Sequence, residues 1–412
     1  MSNTAASGSR QSRTSLAIDN LRAYVILLVL AFHSSLAYLN FLPPHAFAFD
    51  KPPFMWRAFP IVDSHRWLGL DLFCAWQNVF LMTLFFFLSG LFLWPSLKRK
   101  GVPAFVADRF RRLGLPFVLV VALLMPIAQY PTFLQSAALP GVEPYLRHFL
   151  ALPFWPSGPV WFLWLLLSAD LIAAGLHLTT PGWGEWLARL SRASSNRPLK
   201  YFAALFAISA VAYLPLALAF TPEAWGQFGP FSFQLSRPLH YAVYFFAGAG
   251  LGACGIERGL FTADGALASH WRLWLGLALG SFVLWLAMTA LVVKTAGAAS
   301  IGLQTADDLS FLLACLCNCF GVLALALRFA ARRRPWLDAL TLDAYGMYLV
   351  HYGFVIWLQY ALLAAVLPAI VKAATVFAGT VALSWGTTAA FRRLPGIAAI
   401  IRGGHPVVAR PS

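Results

Sequence analysis

Ten runs of about twenty apolar residues, near 16–39, 68–94, 115–134, 159–180, 200–220, 238–255, 271–293, 307–329, 342–366 and 373–391, restrict this chain more than any other feature. A helix of that length covers the roughly 30 Å hydrocarbon core of a bilayer. In lipid the backbone must satisfy its own polar groups, and a helix does so within one segment. The fold class expected is therefore all-α: a polytopic membrane helical bundle of about ten transmembrane helices. With 60% hydrophobic and 11% charged residues and a mean hydropathy of +0.71, the composition excludes a soluble globular protein. No cleavable signal peptide is expected. The segment before Leu16 is polar and Ser-rich, and the first apolar run is too long and lacks a small-residue cleavage site.

An even number of spans puts both termini on one side, and the basic residues choose it. One set of loops and tails holds 22 of the 30 Lys and Arg, the opposite set holds seven, and Arg22 is the remainder. The positive-inside rule thus predicts cytoplasmic termini. The net charge of +15 is then mostly topology and contact with anionic lipid, and no nucleic-acid partner is expected, since no soluble basic module is present to bind one. One integral domain over 16–395 is expected, flanked by polar cytoplasmic tails at 1–15 and 396–412. The two largest outer loops, about 40–67 and 135–158, are rich in proline and aromatics and read as rigid caps on the bundle. Five cysteines offer no metal site. Cys315, Cys317 and Cys319 share one helix, the middle one pointing away, which is a packing arrangement.

Within the first run, LAIDNLRAYVILLVLAFHSSLAYL, stand an arginine and a histidine, Arg22 and His33. Eleven positions at about 100° each return to nearly the same helix face, with the two residues about 16 Å apart along the axis. An ionisable group in a spanning segment costs at least about 2.5 kcal/mol for arginine at the centre, so each is a functional-site candidate. The structural alternative is that Arg22 snorkels to the interface and His33 hydrogen-bonds a neighbouring helix.

The inner segment LKRKGVPAFVADRFRRLGLPF spaces its cations as on a helix. Arg109 and Arg112 share a face, and Pro116 ends or kinks the turn. A short interfacial helix with guanidinium groups at the mouth of the bundle suits the phosphates of a nucleotide-containing donor, or equally an anionic-lipid anchor. Asp71, Gln77, Asn78, Ser89, Gln129, Asp170, Asn318, Asp343 and His351 are candidates for a polar interior, most of them as interhelical hydrogen bonders. His351 lies one turn after Tyr348, where it can face His33 across the bundle or pack against a backbone carbonyl.

Several of these segments together resemble the integral-membrane acyltransferase 3 family, and within it the glucans-biosynthesis, glucan succinyltransferase-like branch. Arg22 and His33 match its R-x10-H signature, FFFLSG at 85–90 its FF-x-(I/L)-SG motif, and ADRFRRLGLP at 107–116 its R-x-x-R-x-G-x-P stretch. VWFLW at 160–164 resembles H-L-W-F-L, YGMYLVHYGF at 345–354 resembles Y-L-(I/V)-H, and GGHPVV at 403–408 resembles the end of that branch. Each motif is short, but their order along nearly the whole chain is specific. Two features depart from the family pattern: Pro159 replaces the His that begins H-L-W-F-L, and only Asp170 follows where many O-acetylating members carry several acids, which fits the glucan branch. The soluble hydrolase-like domain of some members is not expected, so transfer is expected to finish within the membrane domain or with a separate partner.

The resemblance implies transfer of an acyl group, succinyl or acetyl, from cytoplasmic acyl-coenzyme A to a hydroxyl of a periplasmic or envelope glycan, in the bacterial inner membrane. No permanently bound cofactor is expected; acyl-CoA would be a co-substrate, and the glycan acceptor and membrane lipid would be the partners. His33 would face the acceptor as general base or carry a covalent acyl group. Arg22 would orient the donor, whose nucleotide end would sit on Arg109 and Arg112, with Ser89 on the donor side. Trp161, Tyr348 and His351 would support the acceptor side. Two other classes use the same residue types. A proton-coupled transporter or flippase would use His33, Asp71 and His351 as relay groups, but no paired halves with matching Gly or Pro breaks are visible. A lipid-linked glycosyltransferase would need an acidic pair in an outer loop, and the spacing of Asp50 and Asp63 offers none.

Overall fold

The computed structural model describes residues 12–137, 139–257 and 259–394. Ten long helices make up the bundle: α1 (Arg13–Ser35), α2 (Leu68–Leu91), α3 (Val102–Ser136), α4 (Trp161–Thr179), α5 (Pro198–Phe220), α6 (Pro238–Cys254), α7 (Trp271–Lys294), α8 (Ile301–Phe329), α9 (Pro335–Ala361) and α10 (Ala369–Phe391). Eight of them are long and apolar enough to cross a membrane. The expected spans at 238–255 and 342–366 fall outside that eight. Helix α6 has only 17 residues. Helix α9 carries Asp338, Asp343, His351 and Gln359, which lower its hydropathy. Both are core helices, buried along much of their length by their neighbours.

Helix α1 starts at Arg13, inside the expected tail, because the Ser12 hydroxyl accepts from Ser15 N at 3.1 Å and caps it. The rest of the 1–15 tail, the 396–412 tail and GGHPVV lie outside the described residues. Helices α1, α2, α8 and α9 form the centre, whereas α7 is peripheral: 78% of the apolar window of α8 is buried against 11% of that of α7. Helix α1 is tied to α9 by Gln359, whose amide donates to His33 O at 2.9 Å, and to the 330–332 turn by Asn20, whose amide donates to Ala330 O at 2.7 Å.

Helices α2 and α6 touch backbone to backbone. A Cβ on Gly252 would stand 2.0 Å from Leu91 O, and one on Gly90 would stand 2.0 Å from Phe245 O. Small residues at such a crossing let two helices pack with no side chain between them. Beside this crossing, His240 is wholly buried, with Nδ1 2.6 Å from Ser209 Oγ and Nε2 3.2 Å from Thr83 Oγ1 and 3.5 Å from Cys315 Sγ. It bolts α5, α2 and α8 to α6.

The expected short interfacial helix ending near Pro116 is instead the first part of α3, which runs unbroken through two π-helical turns, Phe110–Gly114 and Val120–Leu124. Proline cannot donate to the carbonyl four residues back, so Pro116 frees Arg112 O and Pro131 frees Ile127 O. Both carbonyls are taken by α9: Tyr345 OH donates to Arg112 O, and Trp357 Nε1 donates to Ile127 O at 3.0 Å. The prolines therefore convert backbone acceptors into interhelical joints.

At the end away from the arginines, the two proline-rich loops meet in a cluster of Phe49, Trp56, Phe133, Tyr145, Phe149 and Phe154. A hairpin, β1 (Trp225–Phe228) and β2 (Phe231–Gln234), joins them through Arg57, which donates to Gln227 Oε1 at 3.0 Å, and through Trp155 N, which donates to Gly229 O at 3.2 Å. Lys372, one residue outside the expected span at 373–391, is fully buried in α10. Its Nζ lies 2.7 Å from Asp63 Oδ2, so the first loop is pinned to the bundle by a buried ion pair.

Candidate active site

A cavity of about 1410 Å³ runs between these helices. That exceeds the roughly 300–1,000 Å³ usual for a site holding one small molecule. Its basic end is lined by Arg22, Arg99, Lys100, Arg109, Arg112, Arg333 and Arg392 against the carboxylates of Asp19, Asp108 and Asp170. Its far end is lined by Trp161, Trp225, Gln234, Arg237 and Tyr241, where α6 begins and the hairpin closes. His33, Ser89 and Tyr348 line it as well.

Arg22 and His33 both line this cavity, as their spacing on α1 requires. Arg22 turns into the cavity among the other cations. Its guanidinium is accessible from the cavity and stands 5.4 Å from the centre of the Phe92 ring. Arg109 Nε lies 3.3 Å from Asp170 Oδ2 and Arg112 Nε 3.0 Å from Asp108 Oδ1. Both guanidinium groups also line the cavity, where their planar forks can meet a ligand. Lys100 shares Asp108 at 2.7 Å, and Arg392 holds Asp343 at 2.8 Å. Asp170 is thus the counter-ion that fixes Arg109. In FFFLSG, adjacent residues do different work: Ser89 faces the cavity while Gly90 makes the α6 crossing.

His351 sits behind His33, with ring centres 5.1 Å apart and His351 Nε2 3.4 Å from His33 Nδ1. For two neutral rings the hydrogen bonds permit one assignment. His351 Nδ1 is 2.6 Å from Tyr348 O, an acceptor, so it carries the proton and Nε2 accepts. His33 Nδ1 is 2.9 Å from Val29 O and also faces that Nε2, so it too carries the proton. The lone pair of His33 is left on Nε2, in the ring of the pair that lines the cavity. Tyr348 is held in turn by its hydroxyl, which donates to Pro159 O at 2.7 Å.

The chain matches the acyltransferase domain model over residues 15–389. It belongs to that family. Among curated proteins it is similar to glucans biosynthesis protein C of Salmonella heidelberg (strain SL476), of Salmonella typhi and of Salmonella typhimurium. Each is 23% identical over 245 residues, which are 56% of this chain and 56% of the relative. The chain therefore spans about half the length of these relatives. No solved structure matches it.

Sequence reasoning passed over the far end. Arg237, one of the seven cations of the charge-poor set and just outside the expected span at 238–255, is buried at the N-cap of α6. Its signal was a lone basic residue on the charge-poor side, immediately before the proline that opens a helix. Trp225, Gln234, Tyr345 and Arg392 carried no such local mark. They join the site only through packing.

Proposed function

We propose that this protein is a bacterial inner-membrane acyltransferase that moves a short acyl group, succinyl or acetyl, from acyl-coenzyme A to a hydroxyl of an envelope glycan. The observation that carries this reading is that one cavity joins a cluster of seven cations to a histidine whose free lone pair on Nε2 is set by Val29 O and the facing ring of His351. The arginines suit the phosphates of the donor, each guanidinium making bidentate charge-assisted bonds. The name of the relatives supports a glucan as acceptor, and Trp161 and Trp225, 5.6 Å apart and edge to face, offer it rings to stack on.

In the reaction, the acceptor hydroxyl approaches His33 Nε2, which takes its proton as the oxygen attacks the thioester carbonyl. The tetrahedral intermediate expels the coenzyme A thiolate, which receives that proton from the imidazolium. One C–O bond forms, one C–S bond breaks, and the base is regenerated. Arg22, on the same helix face toward the basic end, orients the donor between its phosphates and the thioester. His351 acts through His33 alone.

The test is transfer by purified protein in lipid vesicles, with radiolabelled acetyl- and succinyl-coenzyme A offered against a periplasmic glucan, beside His33→Ala. Label reaching the glucan only with wild type is the expected result. No transfer and no thermal stabilisation by either donor would overturn the reading and favour a transporter.

A further inference from the structure

Arg237 is 5% exposed, yet among the described residues it has no carboxylate within ion-pair distance. Its Nη1 donates to Asn78 O at 3.0 Å and to Asn78 Oδ1 at 3.2 Å, its guanidinium also hydrogen-bonds the neutral Tyr241 hydroxyl and lies 4.8 Å from the centre of the Phe311 ring, while Nε has no hydrogen-bond partner. A buried charge with no counter-ion is strongly unfavourable. The positive end of α6, at whose N-cap Arg237 stands, adds to that charge. Next to it on α2, Gln77 is wholly buried, and neither its amide nitrogen nor its amide oxygen has a partner. Buried polar groups are almost always hydrogen-bonded. Arg237, Asn78 and Gln77 all line the cavity, so what they lack is what a ligand would bring.

We infer that Arg237 and Gln77 form a carboxylate-binding subsite inside the cavity, which takes the free carboxylate of a dicarboxylic acyl chain or an acidic group of the acceptor. This rests on the acyltransferase reading above. Depth favours the acyl chain. Cys74 Sγ lies 3.9 Å from Phe32 O, which puts that turn of α2 beside the turn of α1 bearing His33. Gln77 lies three positions further toward the basic end, about one helical turn or 5 Å. A four-carbon diacid chain has that reach, with its thioester carbon at His33 and its far carboxylate at Arg237. An acyl group without the second carboxylate would leave Arg237 without a counter-ion and Gln77 without a partner, so they set donor preference rather than perform chemistry.

The experiment measures kcat/KM for succinyl- and acetyl-coenzyme A, each against a neutral and a uronate-bearing oligosaccharide, in wild type, Arg237→Gln and Gln77→Leu. Gln77→Leu breaks no hydrogen bond in the structure and so controls for misfolding of the arginine variant. The expected result is a fall of at least tenfold in the succinyl-to-acetyl ratio in both variants, the acceptor ratio staying constant. A fall in the acceptor ratio alone would assign the subsite to the acceptor's acid. A change below twofold in both ratios in folded variants would overturn it. Thermal stabilisation by free succinate, present in wild type and lost in Arg237→Gln, reads the site without turnover. Should wild type transfer nothing, that measurement still decides the subsite, and the acyltransferase reading alone has failed.

Discussion

A histidine can act as a base only from the nitrogen that lacks a proton, so the contact between His33 and His351 matters more than the presence of either ring. General-base catalysis contributes about 10²–10⁴-fold, and His33→Ala is expected to lose turnover on that scale while remaining inserted and folded. Single-turnover kinetics beside circular dichroism checks this; retained turnover would remove His33 from the mechanism. His351→Phe removes the acceptor facing His33 Nδ1 and is expected to lower kcat with little change in the donor KM. His351→Gln, whose amide oxygen can accept the same hydrogen bond, should recover a substantial part of it. Equal losses in the two variants would reduce His351 to packing. At the basic end, Arg109→Gln with Arg112→Gln is expected to raise the donor KM at least tenfold and leave acceptor preference alone, since charge-assisted bonds to phosphate are lost. An unchanged donor KM would make these residues a lipid anchor.

The helices owe their placement to a few contacts that substitution can isolate. Gly252→Val places a branched side chain where a single Cβ already meets Leu91 O at 2.0 Å. Helices α2 and α6 must then separate, a distortion that costs about 1–3 kcal/mol. Since Ser89 is adjacent to that crossing, activity should fall along with the melting temperature. The proline joints predict a smaller effect. Trp357→Phe leaves Ile127 O, already freed by Pro131, without its donor, and should destabilise by about 0.5–2 kcal/mol. A melting temperature equal to wild type would show that the carbonyl finds another partner.

For the molecule as a whole, the buried pair of Asp63 and Lys372 fastens the cap of loops to the helices. Removing one partner strands a charge: Lys372→Met is expected to cost about 3–5 kcal/mol, and Asp63→Leu with Lys372→Met to recover most of it. Thermal unfolding of the three proteins in the same lipid measures this, and additive losses would argue against pairing. Which parts of this architecture were legible beforehand follows from how far each signal reaches along the chain. Apolar run length and basic-residue bias are local, and they delivered the helical membrane bundle together with the face shared by Arg22 and His33. The exceptions have local causes too. Helix α6 is short, and α9 is polar, because their neighbours rather than lipid surround them. Pro116 did not end its helix, because α9 supplied a donor for the carbonyl it freed.

By itself the sequence determined that the chain is a membrane bundle, that an arginine and a histidine lie on one face of its first helix, and that a helical row of arginines precedes Pro116. It did so because periodicity and hydropathy act within a few turns. Only the tertiary structure decided that His351 faces His33, that Asp170 holds Arg109, and that Arg237, without a counter-ion, and Gln77, without a partner, stand in the same cavity. Those relations join residues tens to hundreds of positions apart, and whether a buried polar group has a partner depends on which helices pack around it.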